Sequence, residues 1–554
     1  MTRLVDQLTD QYVTDVAALD PISATAMGVP GHDHELPDLS PDGFAARESL
    51  ARSGFAAVTA AAPSDAREQV AKDAYLERTG LELETIDAGL ARHELSVISG
   101  WSNAVRESFD LLPTETAEDW EAIGSRLSAI PTALEQYRAT LLEEAAAGRV
   151  VARRQYVEHA AQIAGWTGQR TSANFFTDLV AAAPAGQRGS LDAAAAAASA
   201  AYAKFGSFLT SDLAPRGRES DGVGREHYAL ASRQFLGATV DLEATYAWGW
   251  EELARIEADM NATSGRIVSG GSIADAVAAL DADPTRDLGS REAFQAWMQE
   301  KSDGIVREFN GVHFDIDPAI QRLECRVAPV NDGGAWYTPP SEDLSRPGTM
   351  WFSFTDDHKT FSTWRETTTV FHEGVPGHHL QCAQAVLRAD LLNRWQRLMC
   401  WVSGHGEGWA LYSERLMDEL GFFADPGDRL GFLDMQGFRA ARVVVDIGVH
   451  LGLTIPKNAW GWREGETWNA DLVFEFMRAH SRMDDGSLKF EVNRYLGWPG
   501  QAPSYKVGER IWLEARAEAE ARAGSAFDLK AFHTAALDLG SLGLDPLKAA
   551  LARL

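Results

Sequence analysis

Cysteine is scarce in this chain of 554 residues: Cys325, Cys382 and Cys400 form an odd, scattered set with no CxxC spacing. Neither a disulfide framework nor a thiolate metal site is implied, and a reducing compartment fits. Basic residues are also in deficit. Lys and Arg number 51 against 80 Asp and Glu, and the resulting formal charge of -29 repels phosphate backbones and anionic membrane surfaces. Nucleic acid and membranes are therefore not expected partners. No window reaches the apolar length of a membrane span. The first twelve residues, with Asp6 and Asp10, lack the basic-then-apolar pattern of a secretory signal, so a cytoplasmic location is the expectation. Disorder-promoting bias is absent as well, because 45% of residues are hydrophobic and 24% charged, the balance of an ordinary globular protein.

Helix-forming signals dominate what is present. Leu191 to Phe205 is alanine-rich, Ser272 and Asp275 have capping-box spacing before an apolar run, and Ala, Glu and Arg fill Ile511 to Ala523. The expected class is mainly α. Gly, Pro and Asp cluster at Pro30 to Pro41, Ala183 to Ser190, Gly217 to Gly224, Ser264 to Gly271, Asp281 to Ser290 and Asn331 to Gly348, which marks breaks but no long linker. Thr349 to Thr355, aromatic and preceded by Pro347-Gly348, reads as a strand, so a small sheet is expected there. Length allows a single large unit or two lobes, divided as 1–330 and 331–554.

The chemistry concentrates after that strand. Thr363 and Glu366 have capping-box spacing and open a helix running into His372-Glu373-Gly374-Val375-Pro376-Gly377-His378-His379. In an HExxH helix two histidines four residues apart reach one zinc while the glutamate polarises its water. Here Pro376 occupies the second histidine's place and disfavours a straight helix, so a kink is expected at Pro376-Gly377. In an unbroken helix His378 would point about 120° away from His372, and His379 would lie about 10 Å along the axis. A two-residue bulge would bring His378 to the second ligand position. Taken alone, a His-Glu pair is more often structural, but Gly406-Glu407-Gly408-Trp409-Ala410-Leu411-Tyr412-Ser413-Glu414 offers a third ligand, Glu407. Glu414 lies on the same helix face, suited to accept an imidazole N–H. Glu373 is the expected general base.

Arg439, Arg442, Asp446 and His450 form one polar stripe on an apolar helix over Phe438 to Thr454. A salt-bridged structural stripe and a substrate-binding role are about equally expected of it. His450, or Tyr505 in the polar turn leading into the last long helix, would steady an oxyanion. His32-Asp33-His34-Glu35 looks metal-binding, but it sits in a Gly- and Pro-flanked loop with no helical frame.

At these residues the sequence resembles a bacterial family of unknown function, number 885, whose members carry a His-Glu-x-x-Pro-Gly-His-x-x-Gln segment, here His372 to Gln381. The resemblance spans most of the chain, including Pro21 to Asp38, Tyr337 to Pro347, Gly406 to Glu414, Arg439 to His450 and Pro499 to Gly508. That family is in turn similar to gluzincin metallopeptidases of the thermostable-carboxypeptidase and thimet-oligopeptidase kinds. The resemblance implies a large helical zincin-like fold with a deep cleft and one Zn2+ per chain on His372, His378 and Glu407. It is also what favours His378 over His379. Tyr337, His379, Gln381 and Glu414 are expected around the ligands or the substrate, a short peptide or small amide. The rivals are a zinc hydrolase of a non-peptide amide and a non-catalytic helical binding protein with a structural metal. A homodimer stays open.

Overall fold

The structure is a computed structural model, and it describes residues 3–170, 173–328, 334–354 and 360–553. The chain is mainly helical, 66% helix against 4% strand, in line with the composition. It divides into two compact units. The first comprises Met1–Ser64, Thr79–Val223 and Lys489–Pro499. Its centre is the pairing of α1 (Ala117–Ala146) with α2 (Arg188–Phe208). Trp120, Leu127, Ile130, Tyr137, Tyr202 and Phe205 bury a continuous core there. The alanine tract lies within α2, as its propensity predicts.

The second unit comprises Asp65–Arg78, Gly224–Leu488 and Gly500–Leu554, and it holds the site. The boundary expected near residue 330 therefore falls inside a unit. The reason is strand pairing: β1 (Leu323–Val327) runs parallel to β3 (Gly348–Ser353), which pairs antiparallel with β2 (Gly334–Thr338), in the order β1-β3-β2. Thus β3 starts one residue before the strand expected from the sequence, whose last residue, Thr355, lies outside the described residues. Part of the break expected over Asn331 to Gly348 is the edge strand β2, and Asn331 to Gly333 lie outside the described residues.

Two helix pairs frame the rest of this unit. Helix α3 (Leu242–Ile267) packs along α8 (Pro426–Leu451), and α7 (Ser403–Glu419) along α9 (Ser504–Ala523). The α7/α9 approach is glycine-mediated: a Cβ on Gly508 would lie 2.1 Å from the Gly404 carbonyl oxygen, and one on Gly408 2.5 Å from the Gly508 carbonyl carbon. The sheet is covered by α4 (Arg291–Phe309). Phe294, Met298, Cys325, Met350 and Phe352 form one apolar cluster with Val370 of α5 (Thr363–Glu373), which places the sheet beside the helix carrying His372.

Candidate metal centre

The α5 N-terminus departs from expectation. Its N-cap is Ser362, with no side-chain cap bond. The Thr363 N–H instead donates to the Arg286 carbonyl at 3.0 Å, and Glu366 accepts from Thr369 at 3.1 Å, so a tertiary contact replaces the capping box. Ser272 and Asp275 do form theirs.

At Pro376 the helix is interrupted, not bulged. Helix α5 stops at Glu373, and a new helix, α6 (His378–Leu387), begins after Gly374 to Gly377. Pro376 has no N–H to continue the ladder. Gly377 makes the turn possible, since a Cβ there would lie 1.9 Å from the His372 carbonyl oxygen. The turn is held from α7: Trp409 Nε1–H and Ser413 Oγ–H donate to the Pro376 carbonyl at 2.9 and 3.3 Å. His372 thus occupies the last turn of one helix and His378 the first turn of the next. Their rings lie 4.8 Å apart and nearly perpendicular, at 88°.

Glu407 of α7 meets both. Its Oε2 is 3.3 Å from His372 Nε2 and 3.4 Å from His378 Nε2. All three donor atoms fall within 4.8 Å of one another. A tetrahedral zinc with bonds of about 2.0–2.1 Å has ligand–ligand edges of about 3.3–3.4 Å. The set is two nitrogens and a carboxylate oxygen, which zinc accepts. Among the described residues, buried Glu407 Oε2 makes no hydrogen bond, so the residues present fit such an ion.

Glu414, seven residues on, accepts from His372 Nδ1 at 2.7 Å and from Thr368 Oγ at 2.6 Å. This bond leaves His372 Nε2 directed at Glu407. Burial acts to lower the His372 pKa, but the adjacent Glu407 carboxylate and the hydrogen bond with Glu414 outweigh this and hold it up to about 10. Burial works in the opposite sense on Glu407, yet His372 and His378 hold its carboxyl well below the usual range. The pocket is an electrostatic well for positive charge. Glu373 is buried beside it, pushed up chiefly by burial, and its Oε2 has no hydrogen-bond partner among the described residues.

His379, the competing ligand, is tied elsewhere. Its Nε2 bonds the Ile320 carbonyl at 2.8 Å, and its Nδ1 meets the Tyr337 hydroxyl at 2.9 Å. With both ring nitrogens engaged, it anchors β2 to α6. Gly348 is shaped by this contact, since its Cβ would lie 2.0 Å from the Tyr337 hydroxyl. Gln381 is buried one turn beyond His378, and neither atom of its amide has a hydrogen-bond partner among the described residues.

The polar stripe on α8 divides. Arg439 and Arg442 are buried and lie over the Tyr505 ring, at 6.0 and 4.9 Å. Burial lowers the Arg439 pKa, and Glu414 and Glu407 act to raise it, which places this arginine in the field of the site. His450 lies about 16 Å farther along the helix. It stacks on Tyr228 at 5.5 Å and sits 3.8 Å from Asp446. Asp446 in turn accepts from the Tyr228 hydroxyl at 2.7 Å and from the Gly500 N–H at 2.9 Å. Asp446 and His450 thus join a buried packing cluster rather than the group around Glu373. In the first unit, Glu35 pairs with His32 at 3.3 Å and with His34 at 3.5 Å on the surface.

Two participants were not anticipated. Thr368 precedes His372 by one turn on the same face, a signal the sequence contained. Trp401, whose ring lies 5.8 Å from that of His378, had none, because its position is purely tertiary.

No helix among the described residues is long and apolar enough to cross a membrane. A comparison with curated proteins gives no match. Among solved structures, a protein of Colwellia psychrerythraea provisionally named a lipoprotein matches with a TM-score of 0.85 and 22% identity, over 99% of this chain and 98% of that one. A protein of Shewanella oneidensis, provisionally named a lipoprotein of unknown function, matches with a TM-score of 0.73 and 17% identity over 99% of both chains. At these identities the likeness is one of fold. A family profile described as a bacterial protein of unknown function (DUF885) matches residues 21–551, and the chain belongs to that family.

Proposed function

We propose that the chain is a zinc-dependent hydrolase, a metallopeptidase of gluzincin type that cleaves short peptides. One ion per chain would be held by His372, His378 and Glu407. The observation that carries this reading is the convergence of two imidazole Nε2 atoms on one carboxylate oxygen, at 3.3 and 3.4 Å, beside a buried carboxyl with a free oxygen. Zinc bound there would supply an acidified water and a polarised carbonyl. Glu373 would serve as the general base, holding the proton of the attacking nucleophile and releasing it to the leaving nitrogen. Glu414 keeps the His372 proton on Nδ1. Tyr505, over which Arg439 and Arg442 stack, is the better oxyanion donor than His450, and the two arginines suit a free C-terminus. The cytoplasmic location expected from the sequence is kept as part of this reading, and cell fractionation tests it.

The test is Glu373→Gln with elemental analysis alongside hydrolysis of a di- and tripeptide panel. Wild type should hold about one zinc per chain and turn over at least one member. The variant should keep the metal and lose turnover by about a thousandfold or more. Retained hydrolysis removes Glu373 from the mechanism, and a wild type that takes up no added zinc sinks the reading.

A further inference from the structure

Of the chain's 17 tryptophans, two stand out among the described residues as exposed, Trp336 at 39% and Trp401 at 49%. A single exposed apolar residue is ordinary; the position of Trp401 is not. Its ring packs against His378 and reaches over Gly406, where a Cβ would lie 2.2 Å from Trp401 Cη2. The residue before Glu407 must therefore lack a side chain for the indole to lie where it does. The same ring touches two of the three segments that bring candidate ligands to the site, those of His378 and Glu407, and still leaves half its surface to solvent. Its neighbour Val402 and the residues opening α7 are buried, so the exposure is confined to the indole.

We infer that Trp401 is the wall of a subsite for an apolar, ring-bearing side chain adjacent to the bond being cleaved. This rests on the metallohydrolase reading and names the substrate class that reading left open. With its ring 5.8 Å from that of His378, the indole would be within reach of a side chain bound against that histidine. An aromatic side chain there buries the exposed face and adds a ring–ring contact, whereas glycine at that position gains neither.

The experiment uses the zinc-loaded full chain and two chelating probes, L-phenylalanine hydroxamate and glycine hydroxamate, titrated calorimetrically. Wild type should bind the phenylalanine compound about tenfold more tightly. Trp401→Ala should bring the two within twofold while leaving glycine hydroxamate and zinc content unchanged, and Trp401→Phe should keep most of the preference. Equal affinities in wild type, or a preference that survives Trp401→Ala, overturn the inference alone. Loss of zinc or of both probes in Trp401→Ala would make the indole a support for His378, which also overturns it. Failure of both probes to bind wild type overturns the metal-site reading and this inference with it.

Discussion

Replacing Glu414 by glutamine tests whether the second carboxylate of α7 serves the metal or merely the fold. Its Oε1 lies 2.7 Å from His372 Nδ1, a charge-assisted length, and its side chain is 1% exposed, so it is shielded from bulk solvent. The carboxylate fixes the proton on Nδ1 and makes the Nε2 lone pair a better electron-pair donor to a metal ion held between it and Glu407. Glutamine keeps the volume and one acceptor oxygen but removes the charge. Loss of such a partner weakens metal binding by 10–100-fold, which is about 1.4–2.7 kcal/mol.

Zinc affinity should be measured by competition with a chromophoric chelator at one fixed pH, with thermal melts in the presence and absence of zinc. Thr368→Val is the companion variant: it removes only the hydroxyl that bonds the other oxygen, at 2.6 Å, and should weaken zinc less. The alternative is a metal-free ion pair in which His372 carries its own proton. Glu414→Gln would then lower the melting temperature equally with and without zinc, with the metal constant within twofold of wild type. That result refutes the argument.

Two further outcomes are expected. Gly377→Ala should abolish or strongly weaken zinc binding, because its Cβ would sit 1.9 Å from the His372 carbonyl and 2.5 Å from that of Phe371, forcing His378 away from His372; elemental analysis reads this, and full zinc occupancy would refute it. Folding stability should also fall as pH drops below about 6.5. Burial lowers His159 to about 4 and His533 to about 3 from an ordinary 6.5. Both stay neutral in the folded chain while the unfolded chain takes up protons, so stability is lost through that window, on the order of 3 kcal/mol for His159 once complete. Denaturant midpoints at pH 7.5 and 5 read the loss, and His159→Gln should flatten it; a midpoint unchanged with pH would refute the argument.

Propensity and periodicity made the helices legible, as α2 and α9 illustrate, and short-range spacing located the site. Glu407 and Glu414 share a face by 3.6-residue periodicity, and both meet His372. What stayed hidden depended on contacts distant in sequence. The α5 cap is a carbonyl 77 residues away, at Arg286. Spacing could not choose between His378 and His379, because the choice is made by Ile320 and Tyr337, which occupy both nitrogens of His379. Likewise the stripe on α8 looked uniform in sequence, yet Tyr228 and Gly500 draw its C-terminal half into packing. The division of the chain was hidden for the same reason, since β1 and β3 pair across the position where composition suggested a break.

Interrupting the motif helix does not by itself argue for a structural metal. In an unbroken helix the two ligands owe their spacing to one ladder of backbone bonds. Here the spacing is set by the Pro376 carbonyl, which accepts from Trp409 and Ser413 of α7, the helix that also supplies Glu407. The proposed third ligand and the clamp on the turn before the proposed second therefore belong to one helix, and the broken ladder is replaced by tertiary contacts to a helix packed backbone-to-backbone on α9. A structural zinc site closes its coordination with four protein donors, whereas a catalytic one keeps a position open. Among the described residues the cluster supplies three, and Glu373, the residue next in sequence to the first of them, has a free carboxyl oxygen. Three donors with an adjacent unengaged carboxyl would suit the activation of a water, and this is the ground for proposing hydrolysis over a purely structural role.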